Sequence, residues 1–326
     1  MVSRRIISVE PGADLGELTR RLQGLGLWAQ VAQSERGHHT VAVEAYSAEV
    51  STAQLSDLPG VDDVFAPVSK HPRVDAMREQ AVSSGDLLLG AGYDPVVMAG
   101  PCSVESEEQI HELAEIVSSA GGKVLRAGAF KPRTSPYSFR GHGREALRWL
   151  REAADAHALA VVTEVMSEED VRVVGESTDF IQVGSRNMLN FSLLRRVGEI
   201  AKPVLLKRGM ASPIDEWLMA GEHLLAAGAS GVIFCERGVQ GLATETRNLL
   251  DLSAVALLSH VYGLPVVVDP SHGTGRRDLV LPMARAGLAA GAHGILIEVH
   301  PRPIEAMSDG PQAISPSQLR DLTESC

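Results

Sequence analysis

Two sets of chemically capable side chains recur through the later part of this 326-residue sequence, most of them standing just after a short apolar run. The first is cationic and comprises Arg126, Lys131, Arg133, Arg186, Lys207 and Arg237. Lysine occurs only at positions 70, 123, 131, 202 and 207, and the net charge is -11, so cations repeated in corresponding places stand out on an acidic protein. Such a group suits ligands that carry phosphate and carboxylate, because guanidinium and ammonium donors make charge-assisted hydrogen bonds to both. Any one of them alone reads as half of a surface ion pair, which contributes little. Their repeated placement is what points to substrates with more than one anionic group.

The second set is Cys102, His272, Glu298 and, further along, Asp309. A thiol, an imidazole and two carboxylates form a mixed soft and hard donor set, suited to one divalent ion of the Mn, Fe, Co or Zn class rather than to Ca or Mg. Taken singly, Cys102 reads as a small buried hydrophobe and His272 as a satisfied loop histidine. The four are scattered in sequence, and only a shared address groups them. Cys235 lies inside an apolar run and reads as core, while Cys326, the last residue, reads as a free thiol. Three cysteines without paired spacing argue against a disulfide framework and against a zinc ribbon.

The address comes from the elements that must hold these residues. From Asp94 onward, runs rich in valine, isoleucine and leucine alternate with amphipathic stretches, the pattern of parallel strands covered by helices. They fall at Pro95–Ala99, Lys123–Ala127, Ala160–Glu164, Asp179–Val183, Pro203–Lys207, Gly231–Cys235, Pro265–Val268 and Gly294–Glu298. Eight such units predict a (β/α)8 TIM barrel over 94–326, whose active site forms where the strands end. Between the fifth and sixth runs, Ser212-Pro213-Ile214-Asp215 predicts a capped helix with Pro213 at its first position, closed by Gly228. Residues 1–69 instead read strand, helix, strand, strand, helix, strand, the βαββαβ order of a small ferredoxin-like domain. A linker and barrel-bottom hairpin are expected over 70–93, the hairpin at Leu87–Tyr93.

Composition narrows the partners. The acidic balance disfavours nucleic acid and anionic membrane, and no basic run with interleaved aromatics offsets it. The apolar run near the N-terminus, Ile6-Ile7, is too short for a signal or a span, so a cytoplasmic protein is expected.

With these residues in place, positions 87–309 closely resemble the 3-deoxy-D-arabino-heptulosonate 7-phosphate (DAHP) synthases, first enzymes of the shikimate pathway. The likeness is to the type I branch, in which a ferredoxin-like regulatory domain precedes the barrel. The segment Lys131-Pro132-Arg133-Thr134-Ser135-Pro136 matters most. The sister family making 3-deoxy-D-manno-octulosonate 8-phosphate has lysine, alanine, asparagine, arginine and serine there, which distinguishes the acceptor aldehydes. The resemblance implies condensation of phosphoenolpyruvate with erythrose 4-phosphate and water, assisted by a divalent metal held by Cys102, His272, Glu298 and Asp309. It implies that Arg126, Lys131, Arg186, Lys207, Arg237 and the backbone at Ser185 surround phosphoenolpyruvate. Lys131, Arg133, Thr134, Ser135 and Asp269 fall to the erythrose 4-phosphate side. Glu164 falls beside the attacking water, and Lys131, Glu164, Cys102 and His272 form the catalytic group.

The same resemblance implies tyrosine or phenylalanine as an effector at the N-terminal domain, and a homo-oligomer, a tetramer, is expected. Serine at 185 departs from the alanine common in the family, and the last helix, beginning near Ser315-Pro316, is expected to be short. Two other readings stand beside this one. The first is the same chemistry with arabinose 5-phosphate or an amino sugar phosphate; the second is a non-catalytic aromatic amino-acid sensor.

Overall fold

The computed structural model describes residues 5–35, 37–44, 50–65, 68–131, 137, 139 and 141–324. The chain divides into two compact units, Met1–Asp75 and Ala76–Cys326.

In the first unit, β1 (Arg5–Val9), β2 (Ala29–Gln33), β3 (His39–Val43) and β4 (Val61–Phe65) form an antiparallel sheet of order β2-β3-β1-β4. Alternation along the strands puts Ile7, Val41 and Val64 on one face, where they meet Leu18 and Leu22 of the helix Leu15–Gly24 and Leu55 of the helix Thr52–Ser56. Both helices start on side-chain caps: Asp14 accepts from the N–H of Glu17 at 2.9 Å, and Ser51 forms a reciprocal capping box with Gln54. The element order is the expected one. The division between the units falls after Asp75, inside the short helix Pro72–Ala76, within the stretch expected to be a linker.

In the second unit the hairpin arrives earlier in the chain than predicted. Its strands are β5 (Val82–Ser84) and β6 (Leu87–Leu89), paired across Gly85-Asp86 with Gly85 at φ 56°. Two serines in β5 conceal the strand, and the residues after Leu89 lie beyond the pairing. A side chain on Gly231 would fall 2.9 Å from Val82, so the glycine that begins a barrel strand lets the hairpin close against the barrel's lower end.

The barrel strands are β7 (Val96–Gly100), β8 (Val124–Arg126), β9 (Ala160–Val165), β10 (Phe180–Val183), β11 (Pro203–Lys207), β12 (Gly231–Glu236), β13 (Val266–Val268) and β14 (Gly294–Glu298). All pairings are parallel, and the ring closes where β14 meets β7, with Glu298 opposite Gly100. Helices cover the outside and side chains fill the inside, so β7, β10, β11, β12 and β14 are buried at every residue, which accounts for their continuous apolar runs.

The helix Ile214–Ala227 ends as expected on Gly228, at φ 114°. Its predicted cap does not form. Pro213 stands at the N-cap without a capping side chain, and the Ser212 carbonyl accepts from Arg208 Nε at 3.0 Å. The last helix, Pro316–Thr323, has its own capping box between Ser315 and Gln318. No helix among the described residues is long and apolar enough to cross a membrane.

Candidate active site

The chain leaves β7 at Gly100, whose φ of 149° and position leave no room for a side chain, since a Cβ would lie 2.1 Å from the Arg126 carbonyl. This close crossing sets Cys102 over the rim. There its segment pairs with the one after β8, the Gly128 N–H donating to the Cys102 carbonyl at 3.1 Å. Gly128 is small for the same kind of reason: a Cβ would meet Lys131 Nζ at 2.7 Å. Lys131 can therefore lie back across the segment and donate to Cys102 Sγ at 3.0 Å.

Asp309 reaches the same thiol from the segment after β14, accepting from Cys102 Sγ on Oδ2 at 3.0 Å. Donor atoms of Cys102, Glu298 and Asp309 all lie within 4.8 Å of one another. His272, the fourth residue of the expected set, is not part of that group of three; its Nε2 lies 3.3 Å from Glu298 Oε1. Its other nitrogen, Nδ1, lies 2.7 Å from Asp269 Oδ2, and Lys207 Nζ donates to that oxygen at 2.6 Å.

The electrostatics follow from burial. Burial pushes the Cys102 thiol up, to about 12, with Glu298 adding to the effect and Lys131 opposing it. For His272 burial lowers the pKa against the pull of Asp269 and Glu298. Burial works to raise both Asp269 and Glu298, but His272 with Lys207 holds the first well below the usual carboxylate range, and His272 with Arg126 lowers the second.

An imidazole nitrogen thus faces a carboxylate oxygen at 3.3 Å, beside a thiol whose pKa burial raises. The donor chemistry fits a divalent ion, whose charge would reconcile these groups and displace the thiol proton. Asp269 then stands as the partner that orients the histidine.

One cleft above this cluster is lined by Cys102, Lys131, Glu164, Gly184, Ser185, Arg186, Lys207, Met210, Arg237, Arg247, His272 and Asp309. Nine of the residues singled out in the sequence are among them. Arg126, Glu298 and Asp269 are not among them and are buried, at 5%, 1% and 0% exposure. Arg126 donates to Glu298 Oε1 at 3.0 Å and to the Pro101 carbonyl at 2.8 Å. Burial opposes its charge, but Glu298 and Cys102 outweigh that and raise its pKa. Among the described residues its buried Nε has no hydrogen-bond partner, and a small cavity joins Arg126 to Lys131, Glu164 and Gln182.

Glu164 accepts from Gln182 Nε2 at 3.2 Å. Its carboxylate fills the space that a side chain at 184 would take, a Cβ there falling 1.9 Å from Oε1. Arg133, Thr134 and Ser135 lie outside the described residues.

Sequence reasoning missed two contributors. Arg247, deep in the segment after β12, puts NH1 3.8 Å from Asp309 Oδ1 and donates to Gln312 Oε1 at 3.3 Å. Gln312 in turn donates to Glu298 Oε2 at 2.5 Å. Neither follows a strand directly, so only its polarity within a rim segment could have drawn notice. Met210 lines the cleft as well, whereas Cys235 is core as expected.

Fold and site together define a barrel enzyme with a mixed thiol, imidazole and carboxylate centre beneath a cationic cleft. Comparison with known proteins narrows this. A family model described as the DAHP synthetase I family matches residues 71–325. The phospho-2-dehydro-3-deoxyheptonate aldolase of Thermotoga maritima is 40% identical over 324 residues, spanning 98% of this chain and 96% of that protein. Its crystal structure matches with a TM-score of 0.74 at 38% identity, covering 99% and 96% of the two chains. A truncated form of the 3-deoxy-D-arabino-heptulosonate 7-phosphate synthase of that organism matches with a TM-score of 0.71 at 44% identity, over 76% of this chain and 90% of that one. The 2-dehydro-3-deoxyphosphooctonate aldolase of Acidithiobacillus ferrooxidans is 31% identical over 245 residues, 69% of this chain and 86% of that protein. The chain belongs to the DAHP synthetase I family and is an enzyme of that family.

Proposed function

We propose that the chain condenses phosphoenolpyruvate with D-erythrose 4-phosphate and water, releasing 3-deoxy-D-arabino-heptulosonate 7-phosphate and phosphate. The observation that carries this reading is that the cationic cleft opens directly onto the Cys102, Glu298 and Asp309 cluster. Two polyanions can be held there beside a group that activates an aldehyde.

Lys131, Arg186, Lys207 and Arg237 offset the repulsion between the substrates and orient phosphoenolpyruvate, with the Arg126 Nε, which has no hydrogen-bond partner among the described residues, available nearby. Arg133, Thr134 and Ser135 hold the erythrose 4-phosphate side. A divalent ion of the Mn, Fe, Co or Zn class, held by Cys102, His272, Glu298 and Asp309, would supply Lewis acidity at the aldehyde oxygen. The Glu164 carboxylate takes the proton of the water that adds to the former enol carbon, and Lys131 Nζ assists proton transfer at the departing phosphate. The Gln182 amide and the absent side chain at Gly184 fix where that carboxylate stands.

The same chemistry on arabinose 5-phosphate is the second reading, which the 31% identical octulosonate enzyme keeps in view. Greater identity over nearly the whole chain favours the heptulosonate reaction. We assign the βαββαβ unit a regulatory role with tyrosine or phenylalanine as effector, in a homotetramer.

Phosphate release from phosphoenolpyruvate is measured with erythrose 4-phosphate, arabinose 5-phosphate or neither, with and without EDTA. Turnover with erythrose 4-phosphate that EDTA abolishes and Mn restores is expected. Turnover only with arabinose 5-phosphate, or full turnover in a protein that holds no metal, would overturn the assignment.

A further inference from the structure

The segment after β7 and the segment after β14 lie against each other through three successive contacts. Beyond the Cys102 to Asp309 bond, the hydroxyls of Ser103 and Ser308 meet at 2.6 Å, and Glu105 Oε1 accepts from the Met307 N–H at 2.7 Å. The second oxygen of Glu105 faces His300 Nε2 at 3.4 Å. His300 is itself held in place, its Nδ1 accepting from the Arg302 N–H at 3.1 Å and its Nε2 lying 3.3 Å from Gln109 Nε2. Glu105 is anchored in its own segment, its N–H donating to Gln109 Oε1 at 3.1 Å.

These contacts converge on a residue that needs holding. Asp309 has φ 53°, a left-handed conformation that a residue with a Cβ adopts at a cost and keeps only when its surroundings impose it. Ser103 and Ser308 are buried, so loss of either hydroxyl leaves the other without its partner. Each rung fixes one atom near Asp309: the Met307 N–H, the Ser308 hydroxyl, and finally the carboxylate itself.

We propose that Glu105, acting with the Ser103 and Ser308 hydroxyl pair, is a positioning residue that holds the segment 300–309 so that the Asp309 carboxylate meets the Cys102 thiol. This rests on the reading of Cys102, His272, Glu298 and Asp309 as the donors of a divalent ion. A brace serving only loop stability would act on folding and leave ion affinity unchanged.

The test is a Co(II) titration of the metal-free full-length protein, following the near-ultraviolet absorption that a thiolate gives when it binds cobalt. Glu105→Leu removes both acceptor oxygens and is expected to weaken Co(II) binding about 10- to 100-fold, the range for loss of an outer partner of a ligand. Glu105→Gln keeps an oxygen for the Met307 N–H and is expected to restore most of the affinity. Ser308→Ala, a smaller change that guards against a leucine variant that does not fold, is expected to weaken binding a few-fold.

A leucine variant with lower melting temperature but wild-type Co(II) affinity overturns the positioning role, as does equal weakening by leucine and glutamine. Wild-type protein that shows no thiolate absorption with Co(II) takes down the donor assignment and this proposal together, which separates the two failures.

Discussion

Gly184→Ala isolates the placement of one carboxylate. The backbone at 184, φ −74° and ψ 160°, accepts alanine without strain, so the substitution acts through space alone. The new Cβ would fall 1.9 Å from Glu164 Oε1 and 2.7 Å from its carboxyl carbon, whereas Cβ contacts below 3.0 Å are essentially never adopted. The carboxylate must therefore retreat by at least 3.0 − 1.9 = 1.1 Å, which also draws Oε2 out of its bond from Gln182. Displacing a catalytic group by about 1 Å costs on the order of 100-fold. That corresponds to about 2.7 kcal/mol of lost transition-state stabilisation. Steady-state phosphate release should show kcat down by that order, KM for both substrates little changed and the melting temperature near wild type. A kcat within about threefold of wild type would refute the role given to Glu164. A raised KM for phosphoenolpyruvate at constant kcat would turn Glu164 into a binding group.

Three further outcomes are expected. Cys102→Ala keeps its circular dichroism spectrum but loses turnover and bound divalent metal; an active, metal-free variant would remove the thiol from the centre. Trp217→Ala should lose about 3–5 kcal/mol in urea unfolding, because the indole is fully buried, lies edge-on to Phe234 at 5.3 Å and donates to the Leu206 carbonyl at 3.1 Å. A loss below about 1 kcal/mol would contradict that packing. A protein of residues 76–326 should keep catalysis and lose inhibition by tyrosine or phenylalanine, read as phosphate release with and without the amino acid, and equal inhibition would locate the effector in the barrel unit.

The barrel was legible because its strands are covered on both faces, so that runs such as Pro203–Lys207 carry little but apolar side chains. The βαββαβ unit was legible in element order, through alternation in β1 and β3. Local chemistry misled in two places. Serines hid β5, and Ser212 resembled a cap while its carbonyl served Arg208. At the site, a residue directly after an apolar run inherits its position from the strand, which is why Lys207, Arg237 and His272 could be grouped before any coordinates. Which strand-end residues line the cleft could not be read that way: Arg126 and Glu298 end their strands just as Lys207 does, yet pair with each other and do not line it. Arg247 and Gln312 come from the middle of long segments, whose course depends on contacts remote in sequence such as the bond between them.

Closure of the ring by β14 against β7 brings Glu298 opposite Gly100, two residues before Cys102. The donor cluster consequently straddles the seam between β14 and β7, with Cys102 on the opening side and Glu298 and Asp309 on the closing side. A nascent or partly unfolded chain with that seam apart owns the individual side chains but no cluster. Were an ion bound there, ion affinity and circularisation of the sheet would for that reason be one cooperative event, and the ion would act as a clasp that resists local opening between the first strand and the last.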